Sequence, residues 1–138
     1  MIIDASVAVD AVIDPGARGT AARNALAGQP ATERLLAPGH FAFEVMSALQ
    51  AAANRPGHPF KADDIPQAIV DAESLEIEFE ATPWIDVLRA WELSRASLRY
   101  ADAICVAAAE RHRTALLTAD QRIGRSRAPV RCEIITVA

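Results

Sequence analysis

The chain has 138 residues, a length typical of one domain, and 51% of them are hydrophobic, which excludes a disordered chain. The formal net charge of −4 excludes nucleic-acid binding through bulk positive charge, although a nuclease with an acidic site remains compatible with it. The N-terminal apolar run of three residues is too short for a signal peptide or a membrane span, and the two cysteines form no CxxC pair. We therefore expect one cytoplasmic domain over residues 1–138.

Extended and helical patterns alternate along the first half of the chain. The opening MIID predicts a short buried strand over 1–4 that ends in a carboxylate. Ser6 stands where a helix N-cap is expected, and SVAVDAVI predicts a short helix there. The pattern then predicts a helix over 17–27, a strand over 34–38 that a proline closes, and a helix over 40–54.

The second half continues the same alternation. Asp63 and Asp64 mark the start of a helix over 62–75, because carboxylates stabilise a helix N-terminus. The remaining predictions are a strand over 76–82, helices over 83–97 and 100–113, a strand over 114–118, a short helix within 119–124 and a strand over 132–137.

Two of these helices indicate how the layers pack. The helix over 83–97 is amphipathic, and its apolar face predicts that Trp84 and Trp91 lie in the core. The helix over 100–113 is uncharged through its central turns, which predicts burial on all sides. Short apolar strands that alternate with helices predict a parallel sheet covered on both faces.

Four carboxylates occupy positions at which such sheets hold ligands. Asp4 ends the first strand, Glu44 flanks the apolar face of its helix, Asp102 opens the buried helix and Asp120 follows the fourth strand. Ligands of open parallel sheets bind beyond the carboxyl ends of the strands, so the four side chains could converge there. Each of the three aspartates also has a structural interpretation, as an N-cap or as a partner of a helix dipole.

Convergence of four acids would be strongly repulsive unless cations enter the site. Hard divalent cations with oxygen ligands meet that need. The pattern therefore suggests metal-assisted hydrolysis of a phosphodiester, in which a bound water is activated and charge on the phosphate is offset. Six other acids have no such placement and are expected to be solvated: Asp10, Asp14, Asp71, Glu73, Asp86 and Glu92.

Arginines crowd the last 28 residues: Arg111, Arg113, Arg122, Arg125, Arg127 and Arg131. They have two interpretations, a solvated surface or a local rim that binds phosphate, since arginine pairs with phosphate through two hydrogen bonds.

Four segments carry a resemblance to a known family. MIIDASVAV, FAFEVMSAL, YADAICVAAAE and LLTADQRI stand in the order and spacing of PIN-domain ribonucleases, most similar to the VapC toxins of bacterial toxin–antitoxin pairs. The resemblance runs from Met1 to about Val137. It implies a three-layer α/β/α fold with a five-stranded parallel sheet of order 3-2-1-4-5.

The resemblance also implies a site. Mg²⁺ or Mn²⁺ would be bound, directly or through water, by four acids: Asp4, Glu44, Asp102 and Asp120. Ser6 and Thr118 match small hydroxyl positions near that site, where they would hold an aspartate or metal-bound water; helix capping and turn formation are the alternative for both. One departure is Arg122, which stands where some relatives carry a further acid.

The partners implied are those of the family. VapC-like toxins cut structured RNA, often tRNA or ribosomal RNA, and usually pair as homodimers. A small VapB-like antitoxin blocks the site, and the complex usually binds its own operator DNA. No membrane partner is implied.

Other functions fit parts of the pattern. A receiver domain also binds Mg²⁺ at strand ends, but it needs a lysine near the last strand, and the only lysine is Lys61 in mid-chain. A haloacid-dehalogenase-type phosphatase wants an acid two residues after its nucleophilic aspartate, and Ser6 stands there. No G-x-G-x-x-G follows the first strand, which excludes a dinucleotide site.

Overall fold

A computed structural model describes residues 1–137 and shows one five-stranded parallel sheet. The strands are β1 (Ile2–Ile3), β2 (Leu36–Pro38), β3 (Glu78–Glu80), β4 (Leu116–Thr118) and β5 (Ile134–Thr136). Their order is β3-β2-β1-β4-β5, and every neighbouring pair is parallel. The predicted strand order is confirmed. β1 lies in the middle of the sheet, with β2 and β3 on one side of it and β4 and β5 on the other. The topological switch point, where ligands of such sheets bind, therefore lies beside β1.

The predicted helices are confirmed, with ends that differ by a few residues. They are α1 (Ala5–Ile13), α2 (Ala17–Ala27), α3 (Phe41–Asn54), α4 (Ile65–Glu73), α5 (Trp84–Ser94), α6 (Tyr100–His112) and α7 (Gln121–Gly124). The predicted start of α4 is instead a 3-10 turn over Ala62–Asp64, in which the Asp64 carboxylate accepts a hydrogen bond from the Lys61 amide. None of the helices within residues 1–137 is long and apolar enough to cross a membrane.

The sheet separates two cores because successive residues of a strand face opposite sides. Ile2 and Leu116 pack on the side of α5 and α6, whereas Ile3 and Leu117 pack on the side of α1, α3 and α4. All four side chains are almost completely buried. The central strands are therefore held from both faces, which fixes the position of whatever follows their last residues.

The buried helix behaves as its sequence predicts. Every residue of α6 from Asp102 to Ala109 is buried, and Arg113 ends the helix in a left-handed conformation with φ 53°. Alanines dominate this stretch, so α6 lies close against α5 and the sheet. The first turn of α6 thereby comes to rest at the carboxyl end of the central strands.

Two expectations about the helices are wrong. Trp84 is 86% exposed and Trp91 is 51% exposed, because the face of α5 that turns inward is the one with Ala90 and Leu93. The N-cap position of α1 belongs to Asp4, not Ser6, although the Asp4 side chain makes no capping hydrogen bond. Ser6 is the second residue of α1, and its hydroxyl donates a hydrogen bond to the Asp4 carboxylate.

An ion cluster joins α5 and α6 to the end of β3. Asp86 is 3% exposed, which contradicts its expected place among the solvated acids. Both of its oxygens accept hydrogen bonds of 3.0 Å from Arg111 Nε. Arg111 and His112 also contact the Glu80 carboxylate. We call these four residues the α5–α6 ion cluster.

Candidate active site

Asp4 lies at the centre of a hydrogen-bond network at the ends of β1 and β4. The hydroxyls of Ser6 and Thr118 both donate to Asp4 Oδ2, the second at 2.8 Å. The Ala119 amide donates to Ser6 Oγ and the Asp120 amide donates to Thr118 Oγ1, both at 3.0 Å. These contacts lock one carboxylate oxygen of Asp4, while Oδ1 receives no hydrogen bond from residues 1–137.

The environment of Asp4 disfavours its charge. Burial raises the pKa of Asp4, and the nearby carboxylates of Asp102 and Glu44 raise it further, against the opposing effect of the two hydroxyl hydrogen bonds. No cationic side chain among residues 1–137 hydrogen-bonds to Asp4. A cation bound beside Asp4 would therefore stabilise the charged form of its side chain.

Glu44 reaches the same region from the first turn of α3. Its side chain is 26% exposed, and His40 Nε2 lies 2.8 Å from its Oε1 oxygen. That contact is close but is not aligned as a hydrogen bond, and the buried His40 nitrogen has no other partner within residues 1–137. His40 was not singled out in the sequence, although its spacing of four residues from Glu44 on one helix face is readable there.

The other two acids are paired with arginines. Asp102 is buried in the first turn of α6, and its two oxygens accept hydrogen bonds of 3.0 and 3.1 Å from Arg99. Asp120 caps α7 and accepts hydrogen bonds from the backbone amide and the guanidinium of Arg122. The Arg122 side chain holds the pKa of Asp120 below its ordinary value.

These groups surround a cleft of about 470 Å³, which we call the acidic cleft. Asp102 does not line it, but the Asp102 partner Arg99 does. The lining is Asp4, Ala5, Ser6, Phe43, Glu44, Ser47, Ala48, Arg99, Asp120 and Arg122. The cleft thus gathers side chains from the end of β1, from α3, from the start of α6 and from the end of β4.

The arginines of the C-terminal segment have separate roles. Of the six that crowd the last 28 residues, only Arg122 lines the acidic cleft. Arg111 belongs to the α5–α6 ion cluster, and Arg113 and Arg131 line a separate cavity beside Glu110. The rim interpretation therefore applies to Arg122 alone among them, and the second cation of the cleft, Arg99, lies outside that group.

The types of side chain in the cleft suit a hard divalent cation, but within residues 1–137 their present positions do not form a metal-binding group. Carboxylate and hydroxyl oxygens are the ligands that Mg²⁺ and Mn²⁺ prefer. Within residues 1–137, however, no group of three or more histidine, cysteine, aspartate or glutamate side chains is close enough to hold a metal ion. In this arrangement the Asp102 and Asp120 carboxylates are paired with guanidiniums, and a bound cation would compete with those guanidiniums for the same oxygens.

Comparison with known proteins gives a family and a fold. The model of the PIN domain family matches residues 1–128. No curated protein sequence matches the chain significantly. The solved structures that are similar in fold include the three that follow, and at sequence identities of 20% or less their likeness shows the fold alone.

The first is a toxin–antitoxin complex from Klebsiella pneumoniae, with 20% identity over 99% of this chain and 97% of that one, at a TM-score of 0.68. The second is Mycobacterium tuberculosis VapC20, a toxin that cleaves the sarcin–ricin loop, with 19% identity over 83% and 85% and a TM-score of 0.62. The third is VapBC2 from Rickettsia felis bound to a fragment of its promoter DNA, with 12% identity over 99% and 98% and a TM-score of 0.70.

Proposed function

Since the chain belongs to the PIN-domain family, we propose that it is a metal-dependent endoribonuclease of the VapC toxin type, acting as one domain over residues 1–138 in the cytoplasm. One observation carries the proposal: a single cleft brings together Asp4, Glu44 and Asp120, with Asp102 held at its edge by Arg99. Four carboxylates gathered in one place repel one another, and the two guanidiniums paired with them neutralise only half of that charge, so the site favours a bound cation.

Four acids would hold the cation: Asp4, Glu44, Asp102 and Asp120. When bound, Mg²⁺ or Mn²⁺ lowers the pKa of a water molecule and offsets charge on the phosphate. Ser6 and Thr118 orient Asp4 by holding its Oδ2 atom, which leaves Oδ1 available to a ligand. The Thr118 hydroxyl also accepts a hydrogen bond from the Asp120 amide, so the same side chain positions the backbone of a second acid.

The substrate we propose is a structured RNA, such as tRNA or ribosomal RNA, with unpaired bases at the cleavage site. A solved neighbour is a toxin that cleaves the sarcin–ricin loop, which supports this class of substrate. Phe43 lines the acidic cleft and is 75% exposed, so its ring offers a surface on which an unpaired base can stack.

Loss of that ring should weaken RNA binding. Stacking on an aromatic side chain contributes about 1–3 kcal/mol per base, so Phe43→Ala should raise KM by about 5- to 150-fold. The exposed Phe79 stands on β3 outside the acidic cleft and provides the control, because Phe79→Ala should leave KM unchanged. Equal KM values for Phe43→Ala and the wild type would remove Phe43 from the substrate site.

The partners we propose are a VapB-like antitoxin and a second copy of this chain. Two of the solved neighbours are toxin–antitoxin complexes, one of them on promoter DNA, which supports operator binding through the antitoxin. An apolar groove of about 490 Å³ runs between α3, α4 and β3 and suits an apolar antitoxin segment. The exposed face of α5 suits the second copy; its residues are Trp84, Ile85, Leu88 and Trp91.

The alternative functions lose support. A receiver domain needs a lysine near its acids, and Lys61 precedes α4 and does not line the acidic cleft. The phosphatase reading needs an acid at position 6, where the hydroxyl of Ser6 instead holds Asp4. Family membership favours nuclease chemistry over both.

The test is RNA cleavage by the purified protein with Mg²⁺, with EDTA and with Asp4→Asn. Asparagine keeps the shape of Asp4 and removes its charge, so cleavage should fall by on the order of 10³-fold, equivalent to about 4 kcal/mol of transition-state stabilisation. Asp71→Asn on the exposed face of α4 is the matched control and should cleave like the wild type. Cleavage that persists in EDTA or in Asp4→Asn would contradict the mechanism.

A further inference from the structure

Arg99 and Arg122 are the two cationic side chains that line the acidic cleft in the described part of the chain. Within residues 1–137, each forms a salt bridge with one of the four acids and with no other residue. Both pairs are local, since Arg99 precedes Asp102 by three residues and Arg122 follows Asp120 by two. The side chains are 61% and 73% exposed, so little packing holds either guanidinium in place.

The two arginine pairs neutralise only part of the negative charge of the site. Two guanidiniums beside four carboxylates leave two negative charges in excess, and a single divalent cation supplies the difference. In the metal-free arrangement the guanidiniums are hydrogen-bonded to oxygens of Asp102 and Asp120, so a cation would compete with them for those oxygens. Both guanidiniums line the same cleft. Release of both would therefore place two like charges at one edge of the cleft, where an anion would be attracted.

We propose that Arg99 and Arg122 exchange partners during the reaction cycle, binding the Asp102 and Asp120 carboxylates in the metal-free protein and RNA phosphates once the cation has taken those carboxylates. The proposal rests on the function proposed above. It gives an acidic protein a local, two-point phosphate clamp that forms only when the site is loaded. Arginine suits this exchange, because the same fork of N–H donors fits carboxylate and phosphate.

The exchange predicts effects of opposite sign on metal and RNA. An exposed ion pair contributes about 0.2–1 kcal/mol, so Arg99→Ala or Arg122→Ala should bind Mn²⁺ up to about 5-fold more tightly in the absence of RNA. The same variants should bind RNA more weakly in the presence of Mn²⁺. Loss of one phosphate contact reduces the slope of log K against log salt by about 0.7 for single-stranded RNA.

The matched control is Arg34→Ala. Arg34 is 70% exposed and pairs with Glu78 at 2.6 Å, but it stands before β2, at the opposite end of the strands from the cleft. This variant should leave Mn²⁺ affinity and the salt slope at the wild-type values. Arg99→Lys and Arg122→Lys keep the charge but lose the fork, so each should recover part of the salt slope only.

Direct observation of the guanidiniums decides the proposal. The Nε–H signals of Arg99 and Arg122, assigned through the alanine variants, should shift and exchange faster with water when Mg²⁺ is added to the full chain. They should regain protection when a mixed-sequence 12-nucleotide phosphorothioate RNA is added, and the Arg34 signal should remain unchanged throughout.

Three results overturn the proposal. If Mg²⁺ binds, as judged by calorimetry, and both arginine signals stay in place, the exchange is wrong while the proposed nuclease function stands. If the arginines are released but neither alanine variant changes the salt slope, the phosphate clamp is wrong. If the wild type binds neither Mg²⁺ nor Mn²⁺, the proposed function and the exchange fail together.

Discussion

The acidic cleft and the α5–α6 ion cluster each contain a buried aspartate, but the two aspartates differ in whether an arginine neutralises their charge. Asp86 receives two hydrogen bonds from Arg111, a residue 25 positions away on another helix, so its charge is neutralised by tertiary structure. Among residues 1–137, the Asp4 side chain receives only hydroxyl hydrogen bonds and has two carboxylates nearby, so no hydrogen-bonded counter-ion from that part of the chain neutralises its charge. The first arrangement holds two helices together, whereas the second is suited to a ligand.

The arginines follow the same division. Arg111 is 32% exposed and reaches two acids from different elements, while Arg122 is 73% exposed and reaches one acid of its own turn. Breaking the first pair disturbs packing between elements. Breaking the second costs only a local contact, which is what an exchangeable pair requires.

The largest effect on stability should come from Arg111→Met. Methionine keeps the aliphatic packing but leaves Asp86 charged and buried without a partner, which should cost about 3 kcal/mol of the free energy of unfolding. Urea unfolding followed by circular dichroism measures it. Cleavage per folded molecule should be unchanged, and a stability equal to that of the wild type would show that Asp86 is not held by Arg111.

Asp86→Asn should destabilise the protein less, by about 2 kcal/mol, because Arg111 keeps its contact with Glu80 and is partly solvated. The ordering of the two variants is the informative outcome. A larger loss in Asp86→Asn than in Arg111→Met would reverse our assignment of which partner depends on the other.

Arg122→Ala should change the free energy of unfolding by less than about 1 kcal/mol, since the pair it breaks is exposed. The same urea experiment applies. A loss as large as that of Arg111→Met would make the Arg122 pair structural and erase the contrast between the two regions.

The smallest effect concerns pH in the metal-free protein. Because the pKa of Asp4 is raised above its ordinary value of 3.8, chiefly by burial, folding favours its protonated form. The contribution is present below that ordinary value and is lost as the pH rises through the folded pKa. In EDTA, Asp4→Asn should therefore gain stability relative to the wild type from acidic to neutral pH. A constant difference across that range would indicate that Asp4 is not disfavoured as a charge.

Much of the fold follows from patterns that are local in the sequence. Short apolar runs closed by proline or a polar residue predict the strands, and helical periodicity predicts the helices between them. The uncharged stretch of α6 correctly predicts burial, because no side of that helix tolerates water. The positions of the four acids at strand ends and helix starts are also readable.

Features that depend on side-chain packing were not predictable. An apolar face on α5 indicates that something covers it, but the structure buries Ala90 and Leu93 and leaves Trp84 and Trp91 exposed. The pairing of Asp86 with Arg111 needs tertiary structure to be seen. The arginine pairs of Asp102 and Asp120 are different in this respect. Each arginine lies only two or three residues from its acid, so both pairs could have been predicted from the sequence.

The hydrogen bond from Thr118 to Asp4 has a consequence for how the protein is made. It joins residues 114 positions apart, and β1 lies between β2 and β4 from opposite parts of the chain. Such long-range contacts close late, because the entropy of a long loop must be lost before they form. A partly synthesised chain has Asp4 but lacks the hydroxyl that orients it and the last acid of the cleft. The cleft therefore takes its final geometry only after the chain has been synthesised through Asp120, long after Asp4 itself has been made.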